Sequence, residues 1–123
     1  MTKGRIIGTG SAIPRKILTN KELETIVDTS DEWITRRTGI KERRISSNGQ
    51  DESTSDLATK ASLRALEMAG VSPETLDMIV IGTVTPDRQF PSVACFVQKR
   101  LKASKAIALD VSAGCSGFIY ALF

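Results

Sequence analysis

Cys115 stands in the stretch Leu109-Asp110-Val111-Ser112-Ala113-Gly114-Cys115-Ser116-Gly117-Phe118. The apolar run from Ala106 to Val111 has the length of a buried strand, small residues follow it, and a new helix is expected to begin at the cysteine. A thiol placed there sits at the positive end of a helix, a position that favours negative charge. It reads as a nucleophile on a strand-to-helix turn, with its own backbone N–H available to an oxyanion. Gly114, Ser116 and Gly117 are small enough for a substrate to approach closely. The plainer reading is a structural cysteine packed between strand and helix, and position alone does not choose between them. The chain contains no histidine. It also stops at Phe123, about two helical turns past the cysteine, so it reads as the front part of an enzyme cut just after its nucleophile. The other cysteine, Cys95, falls in the apolar register of a helix and reads as a core thiol.

Four further residues invite attention. Trp33 is the single tryptophan, and Arg37 follows it one helical turn later on the same face. Arg36 is expected to project from another side of that helix. Thr29 precedes the expected helix start at Ser30, and Phe90 precedes Pro91 in an extended stretch. Each has an ordinary structural explanation. An indole is half-buried packing, an arginine in a last turn answers the helix dipole, a threonine sits in a turn, and a phenylalanine anchors a core.

The elements that would position them follow from pattern. Gly4 to Thr9, with Arg5-Ile6-Ile7, is a short strand candidate ended by Gly8-Thr9-Gly10 and Pro14. These glycines are turn residues and not a dinucleotide loop, since the third glycine is missing and Pro14 would break the receiving helix. Asn20 is expected to cap a helix over Lys21 to Val27, and Ser30 a second one with Asp31 and Glu32 in its first turn, Arg36 and Arg37 in its last, and Gly39 beyond. Ile40 to Ile45 is a polar strand or loop, and Ser46 to Ser55, with Asn48-Gly49, is the most loop-like stretch. The clearest helix runs from about Thr54 to Ala69. Ser53-x-x-Asp56 resembles a capping box there, Leu57, Ala58, Ala61, Ala65, Met68 and Ala69 form an apolar stripe, and Gly70 ends the helix. Ser72-Pro73-Glu74 opens a single turn. Met78 to Val84 is a near-continuous apolar strand of the kind covered on both faces. A helix from Pro91 and Ser92, with Val93, Phe96, Val97 and Leu101 inside, leads to the strand Ala106 to Val111. This order predicts a parallel α/β layer.

Bulk properties agree with one ordinary domain. The chain has 123 residues, 41% hydrophobic and 25% charged, with a net charge of +3. That charge is too mild, and aromatic residues at 5% too few, for a nucleic-acid reading. Two widely spaced cysteines without histidine make a poor zinc site, so no metal is expected. No apolar run approaches the roughly 20 residues of a membrane span, and no secretory leader is visible, so a cytoplasmic location without membrane attachment is expected.

Three motifs in register then resemble one family. Val27-Asp28-Thr29-Ser30-Asp31-Glu32-Trp33-Ile34, Arg37-Thr38-Gly39-Ile40 and Glu42-Arg43 are similar to the N-terminal signature of β-ketoacyl-acyl carrier protein synthase III. Phe90-Pro91-Ser92-x-Ala94-Cys95 resembles a second signature, and Asp110-Val111-x-Ala113-x-Cys115-x-Gly117-Phe118 resembles the active-cysteine segment. The resemblance covers the chain from Met1 to Phe123. It implies an α/β, thiolase-like fold of α-β-α-β-α layers in a homodimer. Residues 1–123 would form most of its N-terminal half-domain, truncated after the nucleophile. It implies Cys115 as acyl acceptor, Trp33 as a wall for the adenine of CoA, Arg37 near a CoA phosphate, Thr29 close to the adenine, and Phe90 across the dimer interface near the partner's acyl pocket. The implied reaction condenses acetyl-CoA or another short acyl-CoA with malonyl-acyl carrier protein, initiating fatty acid synthesis. Acyl-CoA is then a substrate, and no resident cofactor is expected.

Lys41, Arg43, Arg44, Lys99, Arg100, Lys102 and Lys105 could favour an acidic carrier protein, although each alone reads as a solvated charge. The family also uses a downstream histidine and asparagine, which this chain lacks, so the chain alone is expected to be incomplete. Two rival readings remain: another thiolase-like enzyme, such as 3-hydroxy-3-methylglutaryl-CoA synthase or a type III polyketide synthase, and a non-catalytic module that binds CoA or a carrier protein.

Overall fold

Serine and threonine hydroxyls decide where most helices of this chain begin. The computed structural model describes residues 4–47 and 51–122, and its elements fall into two compact units, 13–52 and 1–12 with 53–123.

In the smaller unit, β1 (Lys16–Thr19) pairs antiparallel with β2 (Glu42–Ile45), Lys16 opposite Ile45 and Thr19 opposite Glu42. Sequence pattern offered β2 as a strand or loop and missed β1. Helix α1 (Asn20–Glu24) is shorter than the Lys21 to Val27 helix expected, and its cap is Thr19, not Asn20. The reason is reciprocal bonding: the Thr19 hydroxyl accepts from the Glu22 N–H at 3.2 Å, and the Glu22 carboxylate accepts from the Thr19 N–H at 2.8 Å. Asn20 is instead almost fully buried. Its Nδ2 donates to Asp31 Oδ1 at 2.7 Å and to the Ile40 carbonyl at 2.8 Å, and its Oδ1 accepts from Arg43 Nη2 at 2.5 Å. One amide thus ties α1, the strand pair and α2 (Asp31–Thr38) together. Bonds from Asn20 and Thr35 hold the Asp31 carboxyl below its usual range. Helix α2 is as predicted, with Ser30 accepting from the Trp33 N–H and Gly39 closing it at φ 72°. Buried Glu52 accepts from the Arg15 N–H at 2.9 Å and the Ser47 N–H at 3.1 Å, and these bonds lower its pKa. Asn48-Gly49, the expected loop centre, lies outside the described residues.

In the larger unit, α3 (Thr54–Ala69) has the predicted bounds and the predicted Ser53–Asp56 capping box. A 3₁₀ turn, Pro73–Thr75, leads to β3 (Met78–Gly82). Then come α4 (Val93–Leu101), β4 (Ile107–Val111), a 3₁₀ turn at Gly114–Ser116 and α5 (Gly117–Leu122). β3 and β4 are parallel, Met78 opposite Ile107 and Gly82 opposite Val111, with α4 as the crossover, as the element order predicted. The core gathers Ile79, Val93, Ala94, Val97, Leu101 and Ala106, with Ala58 and Leu66 of α3 packed against it.

Three expectations are corrected. Residues 4–9 form no strand. They run extended along α3, so close that a Cβ on Gly8 would lie 2.3 Å from the Ala65 carbonyl oxygen and one on Gly10 2.1 Å from that of Ala61. The alanine side of α3 is therefore a seat for backbone, and without Gly8 and Gly10 the segment could not approach. Met68, expected on the apolar stripe, is largely exposed. Finally, the described residues of this chain leave β3 and β4 partly open: Met78, Ile107 and Leu109 are exposed.

Candidate active site

β4 ends at Val111, whose carbonyl accepts from the Thr83 N–H at 3.1 Å, so the chain leaves the sheet at a fixed point. Gly114 then takes φ +52°, and the Ser116 N–H returns to the Ala113 carbonyl at 3.1 Å. Cys115 is the middle residue of this tight turn and its thiol is exposed. The helix starts two residues later than expected, at Gly117, which is buried with Gly82 opposite. A Cβ on Gly82 would come within 3.0 Å of the Gly117 carbonyl carbon. Two glycines in backbone contact thus set where α5 begins and where the thiol stands. The position lies beyond the carboxyl ends of parallel strands, where α/β sheets commonly place their ligands.

Phe90 lies in the irregular segment 83–92 between β3 and α4 and is 87% exposed among the described residues. With Cys95, Leu109, Asp110 and Ser112 it lines a cavity of about 460 Å³. Asp110 accepts from the Val93 N–H at 2.7 Å and the Ala94 N–H at 2.8 Å, satisfying donors at the start of α4. Sequence reading gave this aspartate no role, since a carboxylate inside an apolar strand carries no mark of the helix end it faces. Cys95 is half-buried and receives the Ser92 hydroxyl at 3.1 Å, in keeping with a structural thiol.

The other candidates gather in the smaller unit. Ser30, Glu32, Trp33, Arg36 and Arg37 line a cavity of about 550 Å³. Asp28, Thr29, Ser30 and Trp33 line a second, of about 370 Å³, so the indole borders both. Trp33 is 55% exposed and the Arg37 guanidinium stands 5.2 Å from its ring centroid, a cation–π pair that holds both side chains at the cavity. Trp33 thus stands beside Arg37 at one cavity and beside Thr29 at the other. Arg36 joins them, correcting the expectation that it projects elsewhere: both last-turn arginines of this two-turn helix border the same opening. An aromatic face beside two guanidinium groups suits a nucleotide-like group carrying phosphate.

The basic residues divide. Arg43 donates to Asn20, and Arg44 to the Pro14 and Arg15 carbonyls. Arg100 pairs with Asp56 at 3.0 Å. These three are committed to internal bonds.

Comparison with known proteins gives these clusters a context. No protein-family model matches the chain. It is 66% identical over 117 residues to the β-ketoacyl-acyl carrier protein synthase III of Caldanaerobacter subterraneus, covering 95% of this chain and 35% of that protein. It is 55% identical over 122 residues to that of Clostridium acetobutylicum, covering 99% and 37%. Among solved structures, the 3-oxoacyl-acyl carrier protein synthase III of Aquifex aeolicus superposes with a TM-score of 0.87 at 56% identity, over 94% of this chain and 36% of that one. A priming β-ketosynthase from a polyketide biosynthetic pathway gives 0.91 at 42% identity, over 96% and 35%. The chain thus spans about a third of the length of the relatives it matches. Over that span the chain is similar, in sequence and in its thiolase-like α/β fold, to the N-terminal part of β-ketoacyl-acyl carrier protein synthase III.

Proposed function

We propose that the protein containing this chain is a β-ketoacyl-acyl carrier protein synthase III, with Cys115 as its acyl acceptor and acyl-CoA as substrate. The observation that carries the reading is the exposed Cys115 thiol on a glycine-shaped turn beyond two parallel strands. In the first half-reaction the thiolate attacks the acyl-CoA carbonyl, the carbonyl carbon–sulfur bond to CoA breaks, and CoA leaves as a thiol after taking a proton. In the second, malonyl-acyl carrier protein loses carbon dioxide, and the released electron pair attacks the acyl-cysteine carbonyl and expels the Cys115 thiolate. Trp33 stacks on the adenine of CoA, Arg37 pairs with a phosphate, Thr29 lies at the adenine edge, and Phe90 limits the acyl pocket, in a homodimer across the subunit interface. Residues 1–123 act as an N-terminal half-domain. The histidine and asparagine that assist decarboxylation belong to the length of the relatives that this chain does not span. The reading includes no resident cofactor and a cytoplasmic setting.

Intact mass spectrometry of the full-length protein before and after acetyl-CoA tests the first step. One acetyl group mapped to Cys115, and none on Cys115→Ala, is the expected result. A Cys115→Ala protein that keeps every activity would replace the enzyme reading with that of a binding module.

A further inference from the structure

Phe90 is carried by a segment with no regular structure, yet that segment is fastened on both sides. On the α4 side, Ser92 caps the helix and Asp110 takes the next two N–H groups. Between the two ends, the Arg88 guanidinium sits 5.4 Å from the Phe96 ring centroid. On the β3 side the fastening is to the first turn of α3. The Thr54 hydroxyl donates to the Thr85 carbonyl at 2.8 Å, and both Asp87 carboxylate oxygens accept from the Ser55 N–H, at 3.2 and 3.3 Å. Ser55 is itself immobilised: it is almost fully buried and its hydroxyl accepts from Arg100 Nη1 at 2.8 Å, while Arg100 Nη2 pairs with Asp56. Asp87 therefore binds a fixed point, three residues before a phenylalanine that is 87% exposed among the described residues.

We infer that Asp87 is a positioning residue for acyl-chain selection: by anchoring segment 85–92 to the start of α3, it sets where the Phe90 ring stands. The inference rests on the reading of Phe90 as a wall of the acyl pocket. A ring that merely protrudes excludes nothing, because it can swing aside at little cost. A ring whose backbone is pinned on both sides can refuse a longer chain, since yielding would break charge-assisted bonds to helix N–H groups.

The test uses the full-length protein and compares kcat/KM for acetyl-CoA with that for hexanoyl-CoA. Phe90→Ala is expected to shift the ratio toward hexanoyl-CoA by about tenfold, the scale on which pocket space discriminates methylenes. Asp87→Ala shifts it the same way by about threefold or more, and the double variant goes no further than Phe90→Ala, because both act on one ring. Asp87→Asn keeps an acceptor for the Ser55 N–H and stays within about twofold of the parent ratio. If Phe90→Ala moves the ratio but Asp87→Ala lowers both substrates equally, Asp87 is merely structural and the inference falls. If Phe90→Ala leaves the ratio unchanged while Cys115 still acylates, the reading of Phe90 falls and takes the inference with it. Should Asp87→Ala fail to fold, Thr54→Val, which removes the neighbouring anchor of the same segment, decides: a shift toward hexanoyl-CoA supports the inference and an unchanged ratio overturns it.

Discussion

At the scale of residues, the smaller unit pairs its one tryptophan with an arginine and leaves both open to the cavity they border. The pair is formed before any ligand arrives, so its ordering cost falls on folding and not on binding. Trp33→Ala in the full-length protein should raise KM for acetyl-CoA by about tenfold with little change in kcat, because stacking of this kind contributes about 1–3 kcal/mol per base. Arg37→Gln should act in the same direction and lose most of its effect when acetyl-pantetheine replaces acetyl-CoA, since no nucleotide phosphate is then present. Initial-rate kinetics on both substrates check this, and a fall in kcat at unchanged KM would remove Trp33 from the binding surface. The Trp33–Arg37 pairing was legible because helical spacing alone puts the two on one face, whereas Thr29 was singled out only by the family resemblance. Arg36 was not legible, because a cavity at the end of a short helix admits neighbours that a helical wheel separates. Asn20 was misread as a cap because its preference for helix starts is real. The neighbouring threonine captured that role through a reciprocal bond to Glu22, and the buried amide was freed to bond Asp31, the Ile40 carbonyl and Arg43.

At the scale of elements, close backbone approach decides more than side-chain packing does. The start of α5, and with it the Cys115 turn, is set by Gly82 lying against Gly117. The two glycines are not equivalent. A Cβ on Gly82 would meet Gly117 carbonyl atoms at 3.0 and 3.1 Å, whereas one on Gly117 would meet Gly82 Cα at 3.5 Å, an ordinary contact. Gly82→Ala should therefore push the helix start and slow acetylation of Cys115 by about tenfold or more, the scale set by angstrom-level misplacement of a reacting group. Gly117→Ala should acylate at nearly the parent rate. Rapid-quench measurement of the acetyl-enzyme compares them, and equal rates for both variants would show that this contact does not set the thiol's position. Helix α3 was legible almost to the residue because three independent signals agree: a capping box, an apolar stripe and a terminal glycine at φ 64°. Strand β1 was not, because Lys16-Ile17-Leu18-Thr19 has neither alternation nor a turn signal, and its pairing with β2 is long-range. The opposite error at residues 4–9 has a related cause: an apolar run is a strand only when another strand takes its hydrogen bonds.

At the scale of the whole molecule, the order of helices and strands predicted a parallel layer, and the layer is present as β3 and β4. What pattern could not convey is how little of that layer this chain covers by itself. The near-continuous apolar runs of both strands read as covered on two faces, and such composition is a statement about the folded protein in which they evolved, whichever polypeptide does the covering. Within residues 4–122 the buried apolar core is small and rich in alanine, while Ile6, Ile7, Ile107, Phe118 and Tyr120 are each more than half exposed. Exposed apolar surface of this kind marks a face made for contact. A core this size also leaves a narrow margin against chain entropy. Residues 1–123 produced alone should therefore self-associate at micromolar concentration, bind a hydrophobic dye, and unfold over a broad range without a single cooperative transition. The full-length protein should show none of these, because the same side chains would be covered. Sedimentation velocity, dye fluorescence and calorimetry on the two polypeptides side by side make the comparison. A monomeric 123-residue chain with a sharp transition would mean that the buried core suffices, and that the open faces of β3 and β4 contribute nothing to holding the fold together.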